Sequence, residues 1–206
     1  MRIIETEVFK FDELNEKAKE KARNWYQTNV ACNDSDWFES VYETAQQAGK
    51  ILGISFQEKR NSRSPAIWFN GFHSQGDGAC FEGSYRYAKG SVKAIAKEYP
   101  QDKDLQAIAK ELQAIQKRQF YNLYASTKHR GHYYHSGCMS VDVEHTEDRY
   151  RDIGNAEQDI TDQLRLFADW IYDQLEKEYE YLSSDEQAEE NIKANEYEFD
   201  INGNII

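Results

Sequence analysis

The chain predicts an α+β fold: an antiparallel sheet of about four to six strands packed against several amphipathic helices. Three observations carry this. Apolar residues recur at helical spacing through several long stretches. Between them lie short runs rich in β-branched and aromatic residues that alternate with period two. Two such runs flank Asp77-Gly78, a hairpin dipeptide. With 206 residues, no internal repeat and only two prolines, the chain reads as one domain over 1–206, closing in an acidic helix and hairpin from about 173 to 206.

Residues 2–11 predict a strand, after which Asp12 reads as a helix N-cap. Leu14, Ala18, Ala22 and Trp25 form the helix stripe, which ends before Cys32-Asn33-Asp34. A second helix is expected over 36–51, with Asp36 and Glu39 at capping-box spacing. Its stripe is Trp37, Val41, Ala45, Ala48 and Leu52, and Gly53 closes it. Residues 54–59 read as a strand, and a polar turn over 60–65 follows. Strands over 66–71 and 79–87 then flank a glycine-rich loop. In 79–87, Phe81, Gly83, Tyr85 and Tyr87 share one face, and Cys80, Glu82, Ser84 and Arg86 the other.

A short helix over 90–99 stops at Pro100. A long one is expected from 102 to about 126, with Leu105, Ile108, Leu112, Ile115 and Leu123 in register. Residues 132–144 return to strand. If that strand neighbours 79–87, Cys80 and Cys138 share a surface. The longest helix is expected from 155 to about 182, with Ser183 and Glu186 at capping-box spacing for the next. A last strand over 197–201 meets the turn dipeptide Asn202-Gly203.

The formal charge of −12 disfavours direct DNA binding, which needs lysine and arginine on phosphates. It favours basic protein surfaces as partners. Residues 173–200 hold 11 acids against two lysines. No run is apolar enough to span a membrane and no signal peptide opens the chain, so the sequence expectation is a cytoplasmic protein with three reduced cysteines.

Two stretches carry polar groups on turns. The loop His73, Ser74, Gln75, Gly76, Asp77 and Gly78 offers backbone N–H groups and an acid at a tight reversal. Lys128, Arg130, His132, Tyr133 and Tyr134 interleave cations with aromatic faces, which suits phosphate and base recognition. Together they are candidates for a nucleotide site. The loop lacks the Lys-Ser/Thr ending of a P-loop, which argues against an NTPase. Asp77 or His73 with a histidine from 129–135 is the best acid–base pairing for an enzyme. The bland alternative for Asp77 is a side chain bonding its own loop's N–H groups. His129, His132, His135 and Cys138, spaced by three, have the donor chemistry of a zinc site, though Gly131 and Gly137 argue against one continuous helix gathering them. Asp173, Glu176, Glu180, Asp185, Glu186, Glu189 and Glu190 make a candidate acidic surface for a partner protein.

Four blocks carry a resemblance. They are Leu14 through Ala22 with Trp25-Tyr26, Gly71 through Gly83, Lys128 through His135, and Ala194 through Phe199. Over nearly its whole length the chain resembles a family of small bacteriophage and prophage proteins. Its members are often labelled "antitoxin of toxin–antitoxin stability system", and the Ser-Gln-Gly-Asp-Gly-Ala block is quite specific for it. The resemblance implies phage provenance, a bacterial host cytoplasm and a non-structural accessory role. It brings no catalytic assignment. The expectation is an accessory protein that binds and inhibits a host defence or toxin component with a basic surface, such as a nuclease. The alternative is a nucleotide-binding sponge or metal-dependent hydrolase using the Ser-Gln-Gly-Asp-Gly loop and the histidine-rich segment.

Overall fold

The computed structural model describes residues 7–33, 36–60, 62–148 and 152–206. Its secondary structure is α+β, with six helices and eight strands among the described residues, the strands paired antiparallel. The backbone gathers into two compact units: Ser40–Leu175, and the two ends of the chain up to Glu39 and from Glu176.

The central unit is built on a four-stranded sheet. Its order is β2 (Ile54–Phe56), β5 (Gly83–Arg86), β6 (Leu123–His129) and β7 (Met139–His145). Period-two alternation decides its faces. Ile54, Tyr85, Ala125 and Val143 pair across the four strands and are buried. The next row, Ser55, Ser84, Ser126 and Asp142, is polar and is exposed or half-buried. A separate hairpin, β3 (Ile67–Asn70) with β4 (Gly78–Phe81), carries the glycine-rich loop at its turn.

Helices pack on the apolar face. The helix α2 (Glu39–Leu52) brings Gly49 against Ile54 and Phe56. Next come α3 (Ser91–Glu98), then α4 (Lys103–Arg118), capped by the Asp102 carboxylate accepting from the Leu105 N–H. The helix α5 (Ala156–Leu182) sets the Phe167 ring between Phe81 and Phe56, at 5.9 and 6.3 Å. Leu105, Ile108, Leu112 and Ile115 of α4 are all buried, each contributing about 1.5–3 kcal/mol of apolar transfer.

The second unit pairs β1 (Phe9–Lys10) with β8 (Glu198–Phe199) beside α1 (Glu16–Asn29) and α6 (Asp185–Ala194). Phe11, Leu14, Ala18, Ala22 and Tyr26 meet Ala188, Ile192 and Phe199 in its core. Gly203, at φ +78°, lies against the Ala18 backbone where any side chain would collide, so the Asn202-Gly203 turn needs its glycine twice over.

Several expectations are corrected. The helix over 102–126 ends at Arg118, and Leu123 opens a strand at the centre of the sheet. Phe120 and Tyr121 turn the chain at positive φ. The buried Gln116 amide then clamps the start of β6, donating to the Leu123 carbonyl at 2.9 Å and accepting from its N–H at 3.1 Å. The strand over 79–87 is two strands in two sheets, broken at Glu82. The strand over 132–144 begins only at Met139, and β6 separates it from β5.

Three caps also move. Asn15, not Asp12, caps α1. The helix expected from residue 36 begins at Glu39, with Trp37 before it. Ser184, not Ser183, caps α6, while the Ser183 hydroxyl donates back to the Tyr179 carbonyl. Of the strand expected over 2–11, residues 2–6 lie outside the described residues.

Candidate functional site

The glycine loop and the histidine-rich segment do meet. A β-carbon on Gly78 would lie 2.5 Å from the His135 Cβ, and one on Gly76 would lie 3.9 Å from the Tyr133 ring. Trp68 of β3 continues the contact. Its ring stacks on Tyr134 at 6.4 Å and leans on His129 at 6.1 Å. His73, Ser74 and Gln75 are exposed at the loop tip.

Asp77 is occupied within this loop. One oxygen of its carboxylate accepts from the Asn70 amide at 3.0 Å. The other accepts from the backbone N–H groups of His73 at 3.0 Å and Ser74 at 2.7 Å. These are the donors that an incoming anion would need. Asp77 therefore organises the turn, and its lone pairs face inward rather than toward a substrate.

The basic patch divides. Lys128 and His129 are successive residues of β6, so their side chains leave opposite faces of the sheet. Lys128 takes the polar face with Ser140, its cross-strand neighbour. His129 takes the face of Trp68 and Tyr134, and its backbone N–H donates to Glu82 at 3.1 Å. Arg130, His132 and Tyr133 are exposed in the loop beyond the strand.

The four zinc candidates do not converge on one point. His129 Nε2 donates to the Tyr133 carbonyl at 3.1 Å. His135 Nδ1 accepts from the Gly137 N–H at 3.0 Å, which puts its proton on Nε2, 3.5 Å from Cys138 Sγ. His132 points to solvent. Among the described residues no three His, Cys, Asp or Glu side chains converge as a metal requires. Cys80 is fully buried nearby. Burial, and then the Cys138 thiol and the Glu82 carboxylate, push its thiol up to about 12. Cys138 itself lies in the turn Ser136–Cys138 before β7 and not on the strand expected to carry it beside 79–87.

The acidic candidates fall into two sets. In the terminal unit, Arg23 pairs with Glu189 at 2.6 Å and with Asp185 at 3.8 Å, and Gln27 donates to Asp185. Those two acids hold α6 on α1. Lys193 is likewise engaged by Asp12 at 2.8 Å, and that hydrogen bond raises its amine above the ordinary lysine range. Glu176 is half-buried, whereas Glu180, Glu186 and Glu190 are exposed. Asp173 belongs to the central unit. There it lines a groove with Asp104, Glu111 and Asp169, three carboxylates that sequence reasoning missed. Their signal was present as acids bordering the two apolar stripes at helical spacing.

No helix among the described residues is long and apolar enough to cross a membrane. A family model described as a domain of unknown function, DUF8835, matches residues 37–185. No curated protein and no solved structure matches the chain.

Proposed function

The chain belongs to the DUF8835 family, a domain of unknown function, and from that premise we propose that it is a non-enzymatic protein that holds a basic partner protein against an acidic surface. One observation carries the reading. In the terminal unit Arg23 and Lys193 are bonded to Asp185, Glu189 and Asp12, while Glu180, Glu186 and Glu190 stay exposed. An array of solvated carboxylates attracts cationic surfaces at long range and repels nucleic acid. The resemblance to phage accessory proteins supplies the setting: a bacterial host cell, and a partner that is a nuclease, toxin or other defence component.

The test is affinity capture from a bacterial lysate at low salt, with wild-type protein and with Glu180, Glu186 and Glu190 each changed to lysine. The reading expects a defined basic protein whose capture weakens as salt rises and drops at least about tenfold in the variant. Capture equally strong in the variant and at high salt would refute it.

A nucleotide at the glycine loop is the second reading, favoured by the meeting of Gly76 with Tyr133. The use of the His73 and Ser74 N–H groups by Asp77 stands against it.

A further inference from the structure

The helices α4 and α5 lie antiparallel and are fastened at both ends. The Trp170 indole N–H donates to Asp102 at 2.6 Å at one end, and Arg118 pairs with Asp159 at 2.5 Å at the other. Between the pins runs an open groove of about 360 Å³. Its floor is apolar: Ile108 and Trp170 are buried, and Leu166 stands 49% exposed in the middle of α5. Leu166 continues that apolar floor out to solvent.

The rim is charged, and of one sign. Asp104 and Glu111 stand two turns apart on α4, and Asp169 and Asp173 one turn apart on α5. No lysine or arginine lines the groove. Among the described residues no cation pairs with Asp104, Glu111 or Asp169. Asp104, Glu111 and Asp169, three carboxylates around an apolar trough, repel one another until a cation arrives. A segment that covers Leu166 is therefore favoured when it brings positive charge beside its apolar residue.

We propose that this groove is a docking site for a basic amphipathic helix of a partner protein, with an apolar residue seated on Leu166 and Trp170 and lysine or arginine side chains facing Asp104, Glu111 and Asp169. The inference rests on the reading that the protein holds a basic partner, and it names where and how. From Gln163 to Asp173 the groove follows α5 for about 15 Å, the length of roughly ten helical residues. A third helix laid between two others, with anchors at i, i+3 or i+4 and i+7, is a known recognition geometry. A second copy of this chain is a poor occupant, because its net charge of −12 opposes approach to an acidic trough.

The probe is a synthetic amphipathic leucine–lysine helix of about fifteen residues, titrated into the full chain by calorimetry, with a leucine–glutamate helix as the control. Binding of the lysine helix is expected to weaken at least about tenfold in Leu166→Glu, and again in Asp104→Lys with Asp169→Lys. The control should not bind. Both sets of substitutions are at exposed positions, and circular dichroism checks that the variants fold. A lysine helix that binds both groove variants as well as wild type overturns the groove. If that same binding is lost when Glu180, Glu186 and Glu190 become lysine, the groove fails while the acidic-surface reading stands. A lysine helix that does not bind wild type at all also overturns the groove, and the lysate capture above then decides the broader reading. Concentration-dependent dimerisation abolished by Leu166→Glu would give the groove to a second copy and likewise overturn the proposal.

Discussion

Gly78 lies directly on His135: a β-carbon at position 78 would stand 2.5 Å from the histidine Cβ and 2.9 Å from its Cα. That contact joins the turn of the β3–β4 hairpin to the segment leading into β7. Backbone atoms on one side leave no room to adjust. Gly78→Ala is expected to cost about 1–3 kcal/mol by overpacking, read from urea denaturation. A β-carbon on Gly76 would meet the Tyr133 ring only at an ordinary 3.9 Å, but the residue sits at φ +96°, so Gly76→Ala should cost about 1–2 kcal/mol through the backbone. If Gly78→Ala is as stable as wild type, the two segments do not pack as described.

Asp77 should behave as a structural residue. Asp77→Ala leaves the Asn70 amide and the His73 and Ser74 N–H groups without their acceptor, a loss of about 1–3 kcal/mol. Hydrogen exchange at residues 73 and 74 should accelerate, while partner capture stays unchanged. Capture lost in a variant that remains folded would return Asp77 to the functional site.

Much of this fold is legible in the sequence where the chain carries its own punctuation. The terminal turn shows as Asn202-Gly203 and α5 as an unbroken stripe from Ile160 to Leu175, whereas the hairpin turns over Ser74 to Asp77 with Gly76 at positive φ, and Gly78 of the expected Asp77-Gly78 turn already pairs with Asn70 in β4. The strand β6 is hidden for a physical reason. No glycine or proline stands between Pro100 and Gly131, and Leu123 extends the helical register of Ile115. The chain turns instead on Phe120 and Tyr121 at positive φ, a conformation that sequence reasoning assigns to glycine or asparagine. The continuous strand expected over 79–87 passes over Gly83, where β5 begins after the break at Glu82. Gly83 is a strand glycine where another backbone, that of Ser55, comes too close for a side chain. For the candidate site, residue types revealed which groups are present. Only the strand alternation revealed that Lys128 and His129 part company. The same limit hid the groove, because α4 and α5 are far apart in sequence.

Cys80 should make the protein sensitive to alkali. Its thiol titrates up to about 12 in the fold against 9.0 for an ordinary thiol, so the folded state keeps a proton that the unfolded state releases. The resulting stabilisation is complete below about pH 9 and lost as pH rises through about 12. Buried Tyr42 and Tyr85, also pushed upward by burial, act in the same direction. Urea midpoints should therefore fall from about pH 8 to about pH 10.5, and fall less in Cys80→Ala. In native protein a thiol reagent should modify Cys32 and Cys138, which are partly exposed, before Cys80. Labelling of Cys80 at the rate of the other two would contradict its burial.

Arg23 fastens α6. Its guanidinium is mostly buried, 17% exposed, and it reaches both Glu189 and Asp185. Arg23→Ala should cost about 1 kcal/mol, less at high salt, and loosen amide protection in α6 first. Removing it also frees two carboxylates, so a partner drawn by acidity should bind the variant at least as well as wild type. Weaker capture would mean that the order of α6, and not its charge, is what the partner reads.

The most direct measurement of the central claim is the salt dependence of partner capture for wild-type protein beside the triple variant with Glu180, Glu186 and Glu190 changed to lysine. The account predicts that a basic protein is retained at low ionic strength by wild type, released as salt rises, and not retained by the variant. Retention of the same protein by the variant, with no dependence on salt, would contradict it.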